Sequence, residues 1–166
     1  MKNQELRMQQ ALLLAKTSKC VKMGVGAIIC DENGDLLSEG YNGMFKGGEN
    51  TCGDGGGCKR LTIASGSMNE VGCIHAEMNA IFHCARLGRS TRGATLVSSV
   101  QPCLGCAKAI VASGIKKVIT RETGYVGEGV ELLRAEGVTV EFLGTVESIQ
   151  PSMERKASCF AVGYGC

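Results

Sequence analysis

Residues Ala94–Leu143 read ATLVSSVQPCLGCAKAIVASGIKKVITRETGYVGEGVELLRAEGVTVEFL. Apolar and β-branched runs alternate here with stretches that stop at glycine. Ala94–Val100 reads as a strand. Pro102 opens a helix over Cys103–Ser113 that ends at Gly114. Lys116–Thr120 is the next strand, Gly127–Glu136 the next helix, and Val138–Leu143 follows Gly137 as a last strand. Proline at a helix start and glycine just past its end are where each residue does no harm. Strands alternating with helices in this way predict βα units and an α/β layered fold.

The chain upstream extends the same architecture. Cys73–Leu87, closed by Gly88, reads as a helix whose apolar residues occupy nearly all faces, so it is expected to be buried. Residues Asn3–Ser18 form an amphipathic pattern, with Leu6, Met8, Leu12, Leu13 and Ala15 roughly on one side. Val25–Asp31, the turn residues Glu32–Asp35 and the return run Leu36–Tyr41 make a hairpin. Asn42–Asn69 is glycine-rich, shows no period and holds Cys52 and Cys58. A loop that long in a small domain is normally functional or pinned by something. Residues 1–144 are expected to form one domain, and the weakly patterned 145–166 a C-terminal tail.

Two short segments carry the chemistry. His75-Ala76-Glu77 opens the first helix of this region, and Pro102-Cys103-Leu104-Gly105-Cys106 spans a strand-to-helix junction. One imidazole and two thiolates supply three zinc ligands, and a catalytic zinc keeps its fourth position for water. Helix N-termini suit the cysteines, because free N–H groups and the helix dipole stabilise thiolates. Glu77, two residues from His75, cannot share its direction on a helix and is expected to stand beside the metal as a proton carrier. Zinc lowers the pKa of bound water to about 7, and a carboxylate can then shuttle protons to a ring nitrogen and a leaving ammonia. Either segment alone is weak: Cys-x-x-Cys serves redox pairs and zinc ribbons, and His-x-Glu is common. The two together, in order and on matching elements, are the signature of zinc deaminases.

With those motifs in view, the chain resembles the cytidine and deoxycytidylate deaminase superfamily, most closely the deoxycytidine monophosphate (dCMP) deaminases, over about residues 17–143. Gly40-Tyr41-Asn42-Gly43, Ile74–Ile81, and Gly93–Leu96 through Pro102–Ile110 and Ser113–Val118 carry the likeness. The resemblance implies a three-layer α/β/α sandwich on a five-stranded mixed sheet, a catalytic zinc on His75, Cys103 and Cys106, Glu77 as the catalytic residue, and a homo-oligomer. It implies hydrolysis of dCMP to dUMP and ammonia, supplying thymidylate synthesis.

The same similarity makes Asn42 a candidate for the sugar hydroxyl, although Asn and Gly also favour such a turn on their own account. It makes Ala76 and Tyr125 candidate substrate contacts and Lys22 and Lys46 candidate phosphate ligands, with a surface tyrosine and solvated lysines as the plain alternatives. Arg86 is placed at a subunit contact. Some related enzymes hold a structural zinc, and Cys20, Cys52, Cys58 and Cys73 occupy comparable places here. Four thiolates form a closed structural site, while small buried cysteines are the alternative for Cys20 and Cys73. Cys30 and Cys84 fit core positions, His83 suits a packed or interface role, and Cys159 and Cys166 lie in the tail without a named partner. Between Gly48 and Gly72 the chain departs from the family pattern, which leaves fine substrate choice open among dCMP, dCTP, cytidine and a modified dCMP.

Composition narrows the rivals. A net charge of +2 with scattered basic residues, and an aromatic share of 4%, argue against a base-editing deaminase that must grip and unstack nucleic acid. A zinc-stabilised binding module has no use for Glu77. No apolar run reaches bilayer length, and Ala11–Ala15 is too short for a secretory signal, so a cytoplasmic protein with no membrane association is expected. Ten cysteines in that setting point to metal binding before disulfides.

Overall fold

The computed structural model describes residues 3–45, 47–48, 73–124 and 127–144. The expectations for Lys46, Cys52, Cys58, Tyr125, Cys159, Cys166 and the tail lie outside the described residues.

The elements run α1 (Gln4–Ala15), β1 (Gly26–Cys30), β2 (Leu36–Tyr41), α2 (Ala76–Arg86), β3 (Thr95–Ser98), α3 (Leu104–Ala112), β4 (Lys117–Arg121), α4 (Glu128–Ala135) and β5 (Thr139–Leu143). One five-stranded sheet has the order β2-β1-β3-β4-β5. β1 is antiparallel to β2 and β3, whereas β3, β4 and β5 run parallel. The sheet is therefore mixed.

Alternation along the central strands separates two cores. Ala27, Ile29, Leu96 and Val118 face one layer, where they pack with Ala76, Ala80 and Cys84 of α2, Ala107 and Ile110 of α3, and Leu133 of α4. Ile28, Cys30, Val97 and Ile119 face the other, against Met8 and Ala11 of α1. The result is the expected α/β/α sandwich, with Cys30 and Cys84 in its cores.

Three sequence expectations need correction. In α1 the buried residues are Met8 and Ala11, while Leu6 and Leu13 are exposed. The stripe Met8, Ala11, Leu12, Ala15 follows the helical repeat, and the two excluded leucines fall outside it. α2 starts at Ala76 and not at Cys73, because Ile74 is held extended in a bridge to Gly43, with backbone hydrogen bonds of 3.1 and 2.8 Å. α2 is also not buried all round: Ala76, Glu77, Ala80 and Cys84 are covered, but Phe82 is 51% exposed.

Close approach explains two glycines. A Cβ on Gly40 in β2 would lie 2.5 Å from the Ala76 carbonyl oxygen, and one on Gly129 in α4 would lie 2.1 Å from that of Pro102. β2 thus sits directly on the first turn of α2, and α4 on the junction before α3.

β2 is an outer strand, and its alternate carbonyls are occupied by side chains. Asn79 Nδ2 donates to Tyr41 O at 2.8 Å, His83 Nδ1 lies 3.2 Å from Glu39 O, and the Arg89 guanidinium donates to Leu37 O. A carbonyl only accepts, so the His83 proton sits on Nδ1 in this contact.

Candidate active site

The N-terminal ends of α2 and α3 hold the reactive side chains. His75 is the N-cap of α2 and Cys103 the N-cap of α3, both in extended conformation, so each points off the start of its helix. Cys106 lies in the first turn of α3. The ligating atoms of His75, Cys103 and Cys106 all lie within 4.8 Å of one another. His75 Nδ1 is 3.4 Å from Cys103 Sγ and 3.3 Å from Cys106 Sγ. A tetrahedral zinc bonded at about 2.3 Å to sulfur and about 2.05 Å to nitrogen separates N from S by about 3.6 Å. The spacing and the soft donor set fit zinc.

The electrostatics agree. Cys103 is pushed down to about 4, chiefly because the Cys106 thiol donates to it, with the His75 contact adding against burial. Cys106 is raised, first by that same hydrogen bond and then by burial.

Glu77 is 2% exposed, and burial pushes its carboxyl up, partly opposed by its own backbone hydrogen bond and by His75. Its Oε2 is 3.5 Å from Cys106 Sγ and its Oε1 is 3.4 Å from Ser98 Oγ. Glu77 thus touches Cys106, while the clustered donor atoms are those of His75, Cys103 and Cys106.

A cavity of about 370 Å³ opens onto this cluster. His75, Ala76 and Glu77 line it together with Asn42, Lys22, Cys20 and Cys73, so the structure brings these sequence candidates to one place. Met23, Val25 and Val100 form its apolar side and carried no signal in the sequence beyond being hydrophobic. Asn42 fills its turn-shaping role: Oδ1 accepts the Val25 N–H at 2.8 Å and Nδ2 donates to Met23 O at 2.9 Å. Among the described residues, these contacts leave one amide hydrogen and one lone pair for a ligand. Arg86 is exposed at the end of α2, away from the lining.

The model of the cytidine and deoxycytidylate deaminase zinc-binding region matches residues 1–122. The chain belongs to this family. As a deaminase-family protein it is 37% identical to the deoxycytidylate deaminase of Enterobacteria phage T4, over 70% of this chain and 76% of that one. It is 36% identical to ComE operon protein 2 of Bacillus subtilis, over 94% and 79%. A crystal structure of the dCMP deaminase of cyanophage S-TIM5, in complex with dCMP and dUMP, superposes with a TM-score of 0.71 at 32% identity, covering 86% of this chain and 99% of that one. The fold is the cytidine-deaminase-like sandwich, and the family's metal is zinc.

Proposed function

We propose that the chain hydrolyses dCMP to dUMP and ammonia. The observation that carries this reading is the buried carboxyl of Glu77 set 3.5 Å from one thiol of the His75, Cys103 and Cys106 donor set, at the wall of a nucleotide-sized cavity. The named relatives and the dCMP-bearing structural neighbour support dCMP as the substrate.

His75 and the thiolates of Cys103 and Cys106 would hold the zinc, which when bound would act as a Lewis acid toward water. The chain's own residues supply the rest. Glu77, raised by burial, accepts a proton from the attacking water and returns it to the ring nitrogen; a second transfer lets the amino group leave as ammonia. Met23, Val25 and Val100 exclude water from one side of the base. Asn42, already fixed by two backbone contacts, offers its remaining amide hydrogen to the sugar, and Ala76 lines the base site. Lys22 and Lys46 take the phosphate and Tyr125 flanks the nucleotide. Cys20 and Cys73 share the cavity wall; together with Cys52 and Cys58 they would hold a structural zinc. The enzyme is a cytoplasmic homo-oligomer with Arg86 at a subunit contact.

The test is kcat/KM for ammonia release from dCMP, dCTP, deoxycytidine, cytidine, cytosine and a single-stranded oligonucleotide. dCMP is expected to exceed deoxycytidine because the phosphate supplies remote binding energy that positions the ring. Equal efficiency on the nucleoside overturns the monophosphate assignment, and a preference for dCTP transfers it to the triphosphate.

A further inference from the structure

β3 ends on Ser98, whose side chain is fully buried although its strand neighbours Leu96 and Val97 are apolar. Ser98 stands opposite Ala27 of β1 and points to the same face of the sheet as Leu96, toward the layer that contains α2. A hydroxyl in such a place is tolerated where it is hydrogen-bonded. Among the described residues its hydrogen-bond partner is Glu77 Oε1, at 3.4 Å. An alanine would pack here with no polar atom to satisfy, so the hydroxyl serves the carboxyl.

The second oxygen of Glu77 faces Cys106 Sγ at 3.5 Å. Once Cys106 is a metal-ligating thiolate it has no proton to donate. Ser98 then remains as the side-chain donor to Glu77 among the described residues.

We infer that Ser98 is a positioning residue for Glu77. Its hydroxyl donates to Oε1, fixes the rotamer of the carboxyl and keeps Oε2 turned toward the metal ligands, where protons are transferred. This rests on Glu77 being the proton carrier.

The experiment measures kcat, KM and zinc content for Ser98→Ala, Ser98→Cys and Ser98→Thr, with Ser98→Ala repeated in a Glu77→Gln background. Ser98→Ala and Ser98→Cys are expected to lower kcat about tenfold, with KM within about twofold and zinc unchanged, as for loss of a hydrogen bond to a charged group. Ser98→Thr, which keeps the hydroxyl, should recover most of the rate. In the Glu77→Gln background Ser98→Ala should change the residual rate by less than about twofold, because the side chain that Ser98 orients no longer carries protons. The inference is overturned if Ser98→Ala retains wild-type kcat, or if it lowers the rate equally in both backgrounds, as a packing defect would. Should the threonine variant fail to fold, the comparison of the two backgrounds decides. If Glu77→Gln itself turns over normally, the reading of Glu77 fails; if Glu77→Gln is inactive and Ser98→Ala is unimpaired, the positioning role alone falls.

Discussion

Gly129→Ala places a methyl group against the backbone that carries the zinc thiolates. The added Cβ would lie 2.1 Å from Pro102 O, 3.0 Å from Cys103 C and 3.1 Å from Cys103 O. Ordinary contact begins near 3.4 Å, so α4 and the Pro102–Cys103 junction must separate by about 1.3 Å. Neither partner is a flexible side chain. Overpacking of this kind costs about 1–3 kcal/mol, and for a domain of this size each kcal/mol lowers Tm by roughly 2–4 °C. The metal site should suffer more than the fold. His75 Nδ1 now lies 3.3–3.4 Å from both sulfurs, and ligand distances tolerate only about 0.2 Å of error. Zinc affinity is therefore expected to weaken about 10–100-fold, the range seen when the support of a ligand is disturbed.

The assay pairs thermal unfolding with the rate of zinc transfer to a colorimetric chelator. Gly137→Ala is the control: Gly137 has φ 74° but no heavy atom within 4 Å of an added Cβ, so it strains the backbone without touching the metal site. It should lower Tm at unchanged zinc transfer. Wild-type Tm and zinc retention in Gly129→Ala would refute the seating of α4 on the junction. Equal zinc transfer in the two variants would refute the link to the metal.

Glu77→Gln should keep its zinc and lose about 10²–10⁴-fold in kcat, since glutamine preserves shape but carries no exchangeable carboxyl proton; turnover and metal content on one preparation check this. Cys58→Ser should lower the zinc content measured by elemental analysis from two ions per chain toward one and reduce protection of residues 42–72 in hydrogen exchange, whereas a single zinc in the wild type returns those cysteines to ordinary positions. Lys117 Nζ holds Glu141 Oε1 at 2.6 Å and keeps that carboxyl below its usual range. A lowered folded pKa adds stability above the unfolded carboxylate pKa of about 4.3 and loses it as pH falls through the folded value. With Glu141 42% exposed, Glu141→Gln should cost less than about 1 kcal/mol at pH 7 and nothing at pH 2, read as Tm at both pH values.

The sequence carried the metal cluster because its chemistry is local: the spacing of His75 to Glu77 and of Cys103 to Cys106 already sets which atoms leave the same helix start. β2 was legible to the residue, Leu36–Tyr41, since turn residues bound it on one side and the Asn42-Gly43 pair on the other. What failed to show depends on distant partners. The start of α2 moved because Ile74 pairs with Gly43. The exposure of Phe82 depends on which side of α2 meets the sheet, and composition alone cannot report that. Ser98 looked like any strand serine until α2 brought Glu77 over it. The order β2-β1-β3-β4-β5 is likewise a property of crossovers, which leave no mark on periodicity.

The side chains over β2 change how this sheet meets other chains. A bare outer strand offers a template on which a foreign strand can add, the first step toward end-to-end sheets and fibres. Here an incoming strand would have to displace Asn79, His83 and the Arg89 guanidinium from Tyr41, Glu39 and Leu37 before its own amides found acceptors. The sheet is thereby capped against growth at β2, with the catalytic helix α2 itself serving as the guard of that edge.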